Sequence, residues 1–136
     1  MLSIYPACFY KEKEGGYSVI FPVLGIATCG DTAEEAAAMA VDCLAGFLYN
    51  AKLEKTEVPK APDIESIDIN AEYDGYESAF INMVTVDAEE YAKKYFEKSV
   101  KKTLTIPTWL NDLAVQNGVN FSQTLQSALK EQLHIN

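Results

Sequence analysis

The sequence predicts an α+β protein in two parts, and three observations carry that reading. Residues 1–98 read as three strands, a helix, a strand and a helix (βββαβα), a mostly antiparallel sheet with helices against it. Residues 99–136 read as one short strand and two short helices, too little surface to bury a core alone. The charge changes at the same point. Residues 1–98 carry 8 Lys against 18 Asp or Glu, a net of −10, whereas residues 99–136 carry Lys101, Lys102 and Lys130 against Asp112 and Glu131, a net of +1.

The first strand is expected over residues 3–11, where β-branched and aromatic residues mix and Pro6 predicts an edge position or a bulge. Glu14-Gly15-Gly16 turns the chain into Tyr17-Ser18-Val19-Ile20-Phe21, the return arm of a hairpin, which Pro22 ends. After the break at Gly25, Ile26-Ala27-Thr28-Cys29 supplies a third short strand. Thr32 followed by Glu35 is a capping box, and Ala33, Ala36, Ala37, Ala40, Leu44, Phe47 and Leu48 recur at helical spacing to about residue 50. The alanines let this helix lie close to a sheet. Residues 52–78 read as a long, solvated acidic loop with one weak extended piece at Ile64, Ile67 and Ile69. Residues 79–86 are apolar on both parities, which predicts a central strand covered on both faces. Asp87 then caps a short helix to about Lys98, with Ala88, Tyr91, Ala92 and Tyr95 inward.

Composition sets the class. With 136 residues, 49% hydrophobic and 23% charged, the chain has the balance of a globular protein rather than a disordered one. No apolar run approaches the roughly 20 residues of a membrane span, and Met1 to Pro6 lacks the basic-then-apolar pattern of a signal peptide. A cytoplasmic location with no membrane partner is therefore expected. Cys8, Cys29 and Cys43 form no CxxC pair and His134 is the only histidine, so free, mostly buried thiols are expected and no metal or cofactor. A net charge of −9 disfavours unaided nucleic-acid binding by the body.

The C-terminal segment is different. Lys101, Thr103 and Thr105 share one strand parity, Leu104 and Ile106 the other, and Pro107 ends the strand. Leu110, Leu113 and Ala114 then line a helix that stops at Asn117-Gly118, and Asn120 caps a second helix carrying Leu125, Ala128, Leu129 and Leu133. An edge strand with one apolar face invites a second copy. Two copies would form a two-stranded ribbon above four helices, with Leu104, Ile106, Leu110, Leu113, Leu125 and Leu129 as the dimer core.

That is the ribbon-helix-helix pattern, and Lys102-Thr103-Leu104-Thr105-Ile106-Pro107 followed by Gly118-Val119-Asn120-Phe121-Ser122-Gln123-Thr124-Leu125 resembles the C-terminal signature of HicB antitoxins. The resemblance implies that the ribbon enters the major groove of operator DNA with Lys101, Thr103 and Thr105 reading bases. It also places Asn120, Phe121 and Ser122, at a helix N-terminus, against a phosphate. The chain has no arginine, so the bidentate reading of guanine is not open to it. The body fits the same family. Tyr17-Ser18-Val19-Ile20-Phe21-Pro22, Leu24-Gly25, Thr28-Cys29-Gly30-Asp31-Thr32-Ala33-Glu34-Glu35-Ala36 and Ser78-Ala79-Phe80-Ile81-Asn82-Met83-Val84-Thr85-Val86-Asp87 occur in the family's order.

Membership implies a truncated RNase H-like N-terminal domain over residues 1–98, a ribbon-helix-helix domain over residues 99–136, and a small basic RNA-cleaving HicA-type toxin as partner. The acidic body then has a purpose, to steer and hold a basic protein. Catalysis by the chain itself is not expected. Two-metal chemistry needs converging carboxylates, yet Ser3–Tyr10 and residues 79–86 carry none, and Asp31, Glu34 and Glu35 complement a helix start. Among the aromatics, Tyr5, Phe9, Tyr10, Tyr17 and Phe21 read as hairpin core. Trp109 is expected to pack between the tail and the body or over the tail's first helix. The resulting expectation is an antitoxin and autorepressor, a homodimer that pairs further into a dimer of dimers in one version. The alternative is an orphan ribbon-helix-helix regulator whose body binds another protein or a ligand.

Overall fold

The computed structural model describes residues 1–135. The chain divides into two compact units, Met1–Lys98 and a second that begins at Ser99.

In the first unit, β1 (Ser3–Lys11), β2 (Tyr17–Phe21), β3 (Ile26–Gly30) and β4 (Ser78–Val86) form one sheet in the order β3-β2-β1-β4. Every pairing is antiparallel. Gly15 and Gly16, both at positive φ, close the β1–β2 hairpin, where the Glu12 N–H donates to the Gly16 carbonyl at 3.0 Å. The helix α1 (Ala33–Glu54) crosses one face of the sheet. Its Ala36, Ala40, Leu44 and Ala45 pack against Ala7, Phe9, Val19, Phe21, Val84 and Val86 to make the core. Thr32 caps α1 by accepting from the Glu35 N–H at 3.1 Å, and the Glu35 carboxylate reaches back to the Asp31 N–H at 3.1 Å. The reciprocal cap is the expected one, closed one residue further upstream. α3 (Ala88–Tyr95) begins at Asp87, whose side chain accepts from the Glu90 N–H, and packs on α1 with Ala92 buried. It ends earlier than the sequence predicts and leaves Tyr95 57% exposed.

Two strand expectations change. β4 is an edge strand, not a central one, and each of its faces is only partly covered, with Val84 and Val86 buried on the α1 side and Ala79 and Ile81 half-buried on the other. β1 is central, so Pro6 is not on an edge strand. The ladder with β2 begins at Cys8, however, and at Pro6 the strand is paired only with β4. A missing N–H is tolerated where one side has no ladder.

Residues 55–77 are not a detached loop. They hold a short 3₁₀ turn (Ile64–Ser66) and the single-turn α2 (Ile69–Glu72), so the Ile64, Ile67, Ile69 alternation is not extended. Tyr10 points away from α1 on the face opposite Phe9, and this segment covers it. Its hydroxyl donates to the Ile69 carbonyl at 2.7 Å, and the rings of Tyr73 and Tyr76 lie 5.1 Å from its own. Tyr5 donates to the Pro59 carbonyl at 2.8 Å, and Tyr73 to Glu12 at 3.0 Å. Pro6, Cys8 and Tyr10 are consequently buried, which makes β1 an inside strand on both faces.

The second unit contains α4 (Thr108–Gln116) and α5 (Phe121–Gln132). α4 stops as predicted at Asn117-Gly118, where Gly118 takes φ +64° and the Val119 N–H returns to the Ala114 carbonyl at 3.0 Å. Asn120 caps α5 by accepting from the Gln123 N–H at 3.0 Å. The expected strand over residues 100–107 is absent from the single chain, which has no regular structure there. A strand needs a hydrogen-bonded neighbour, and residues 100–107 have none within the chain.

Candidate interaction surfaces

The base-reading candidates Lys101, Thr103 and Thr105 are all exposed on the irregular stretch that leads into α4. The structure sets no contact among them. Asn120, Phe121 and Ser122 do come together at the start of α5, as their sequence positions require. The Asn120 side chain uses the Gln123 N–H, leaving the amides of Phe121 and Ser122 as the free donors of that helix end. The Ser122 hydroxyl accepts from Gln126 at 3.1 Å.

The dimer-core candidates stand without a core. Leu104 (63%), Ile106, Leu110, Leu113 (51%) and Leu129 are exposed, Leu125 is half-buried, and no residue of α4 or α5 is buried. Leucine and isoleucine are thus exposed along much of the unit. Trp109 is 68% exposed and lies on α4 rather than covering it, contrary to expectation.

On the body, the thiols are free but not uniformly buried. Cys8 is fully buried, Cys43 is half-buried, and Cys29, on the edge strand β3 and on the sheet face of Tyr10, is exposed. Burial pushes the Cys8 and Cys43 thiols up from their ordinary range. Tyr91 donates to Asp42 at 2.9 Å, and burial together with that bond pushes its hydroxyl up to about 12. No group of three or more His, Cys, Asp or Glu side chains among the described residues is placed to hold a metal ion. No helix among the described residues is long and apolar enough to cross a membrane.

Two features of the body escape a sequence reading. The cover of residues 55–77 over β1 is foreshadowed only by Tyr73 and Tyr76, whose rings need a partner. The free edge of β4 is foreshadowed by nothing, because an apolar run reads the same for an edge and a central strand.

Fold and surfaces together define a two-unit α+β protein built for binding, with an acidic body and an unsatisfied, apolar C-terminal unit. The sequence matches the HicB_like antitoxin family of bacterial toxin–antitoxin systems over residues 5–128, and the chain belongs to that family. Among solved structures it is similar to a chain of a toxin–antitoxin complex from Streptococcus pneumoniae, with 34% identity and a TM-score of 0.64 over 97% of this chain and 99% of that one. It is also similar in fold to the antitoxin HicB of Burkholderia pseudomallei, with 18% identity and a TM-score of 0.50 over 96% of this chain and 98% of that one. No curated protein sequence matches it.

Proposed function

We propose that the chain is a non-catalytic antitoxin that binds and inhibits a small basic HicA-type RNA-cleaving toxin and represses its own operon by binding operator DNA. The observation that carries the antitoxin half is family membership, joined to 34% identity with a chain from a toxin–antitoxin complex. The body's net charge of −10 supports it physically. An acidic surface speeds encounter with a basic protein and competes with RNA phosphates for the same lysines and arginines. In this reading residues 1–98 are the toxin-neutralising domain, a truncated RNase H-like sheet, and the cytoplasm is where the toxin and operator lie.

The DNA-binding half rests on residues 99–136. Two copies pair residues 100–107 into a ribbon over α4 and α5, burying Leu104, Ile106, Leu110, Leu113, Leu125 and Leu129. The ribbon presents Lys101, Thr103 and Thr105 to the major groove, and the start of α5 meets a phosphate.

The test is a pull-down of the chain from its host, followed by RNA-cleavage and operator gel-shift assays on whatever small basic protein co-purifies. A partner that cuts RNA alone but not in the complex is the expected result. Operator binding without any toxin would leave the orphan-regulator reading in its place.

A further inference from the structure

We infer that the outer edge of β4 receives a strand from the basic protein partner, extending the four-stranded sheet by one; the inference rests on the antitoxin reading and specifies where that partner docks.

Three observations carry it. First, β4 is the last strand of the sheet, and alternate residues direct their N–H and C=O groups away from β1. Among the described residues no backbone or side-chain hydrogen bond reaches that outer side. Second, the strand has none of the devices that blunt an edge. Ser78-Ala79-Phe80-Ile81-Asn82-Met83-Val84-Thr85-Val86 carries no charge and no proline, and nine successive residues stay in ladder with β1. Third, the edge is apolar on both faces. Phe80 (45% exposed) stacks on Phe9 at 5.0 Å on the α1 side, while Met83 (40% exposed) lies on the opposite face, in register with Pro6. A strand added here would gain main-chain bonds and one apolar foothold on each face, which is the logic of strand addition.

Charge decides the occupant. A second copy paired antiparallel about Asn82 would set Glu77 against Asp87 of that copy and bring two bodies of net −10 together. The carboxylates beside β4 have local cations, with Lys11 3.8 Å from Glu77, the α-amino group of Met1 2.8 Å from Asp87, Lys52 bonded to Glu89, and Lys93 3.3 Å from Glu90. These are exposed pairs that contribute little and leave the net charge standing. A strand flanked by lysine or arginine meets attraction where a second copy meets repulsion.

The experiment compares amide hydrogen exchange of the full chain alone and in complex with the small basic protein that co-purifies with it. Alternate amides of residues 78–86 are expected to exchange freely in the lone protein and at least about tenfold more slowly in the complex. Met83→Lys and Thr85→Lys, both on exposed positions of the edge, are each expected to weaken toxin binding about tenfold with an unchanged melting temperature. A complex that forms while β4 exchange stays unchanged overturns this inference and leaves the antitoxin reading intact. Failure to form any complex overturns the antitoxin reading, and the inference with it. Protection of β4 in the lone protein that rises with concentration assigns the edge to a second copy and also overturns it.

Discussion

Gly30 meets Ala36 across the start of α1 so closely that a Cβ on Gly30 would stand 2.4 Å from the Ala36 nitrogen and 2.7 Å from its Cα. Both atoms belong to helix backbone, which cannot step aside as a flexible side chain does. Gly30 ends β3, and the close approach is what allows the chain to leave the sheet and enter α1 within the Asp31-Thr32 cap. Gly30→Ala is therefore expected to destabilise the body by about 2–3 kcal/mol, the scale of overpacking in a core. A urea titration followed by far-UV circular dichroism measures it. A loss below about 0.5 kcal/mol, the level of an ordinary surface change, would show that α1 can move off the sheet.

The buried anchor of the cover over β1 is the Tyr10 hydroxyl. Tyr10 is fully buried, and its O–H bonds the Ile69 carbonyl across 59 positions of sequence. Tyr10→Phe keeps the ring contacts with Tyr73 and Tyr76 but strands that carbonyl. The expected cost is about 1–2 kcal/mol, with faster proteolytic cleavage inside residues 55–77 than elsewhere. Limited proteolysis read by mass spectrometry checks it; cleavage first at another site would mean the segment is held mainly by its apolar contacts.

Those two residues also mark how far the sequence could be read. Local signals were legible: the Thr32, Asp87 and Asn120 caps, the Gly15-Gly16 hairpin and the Gly118 stop all act within a few residues of themselves. Non-local placement was not. Nothing near Tyr10 announces that Ile69 will face it, and the composition of residues 52–78 reads as a solvated loop because most of its side chains are indeed exposed. β4 was misplaced for a related reason. A strand's apolar pattern reports what lies above and below it, not what lies beside it. In the C-terminal unit the candidate side chains were legible as a pattern, but the chain folds residues 100–107 into no strand and leaves them apart.

Tyr91 gives the body a pH limit. Its folded hydroxyl titrates at about 12, pushed up by burial and then by the bond to Asp42, whereas an unfolded tyrosine titrates near about 10. The folded state thus favours the protonated form. The contribution is fully present below pH about 10 and is lost as pH rises toward about 12. Thermal melts between pH 9 and pH 12 should fall more steeply for the wild type than for Tyr91→Phe. Parallel slopes would mean that other groups govern alkaline unfolding.

The exposed leucines of α4 make a prediction about mass. Leu113 is half exposed in the protomer and lies in the proposed dimer core. Leu113→Glu would bury a carboxylate without a partner, at a cost of about 3 kcal/mol and so roughly a hundredfold in the dimer constant. Light scattering should find a protomer where the wild type is a dimer, with the circular dichroism of the body unchanged. A dimer of unaltered strength would place the self-interface somewhere other than residues 99–136.

The last prediction separates readout from folding in the same unit. Thr103 and Thr105 lie on the ribbon parity opposite Leu104 and Ile106, so their replacement leaves the dimer core untouched. Thr103→Glu with Thr105→Glu places four carboxylates, two per protomer, where the groove would be, and operator binding is expected to vanish in a gel shift. Toxin neutralisation should persist if, as proposed, the body carries it. Salt dependence tests the same geometry from the other side. With no arginine in the chain, the ribbon's cations are Lys101 and Lys102 of each protomer. Counterion release then predicts a slope of log K against log salt between about −2, if Lys101 alone reaches phosphate, and about −4, if both do. A much steeper slope would require cations outside the ribbon. Loss of neutralisation together with DNA binding in the double glutamate variant would mean that residues 100–107 serve the fold of the whole assembly rather than the reading of DNA.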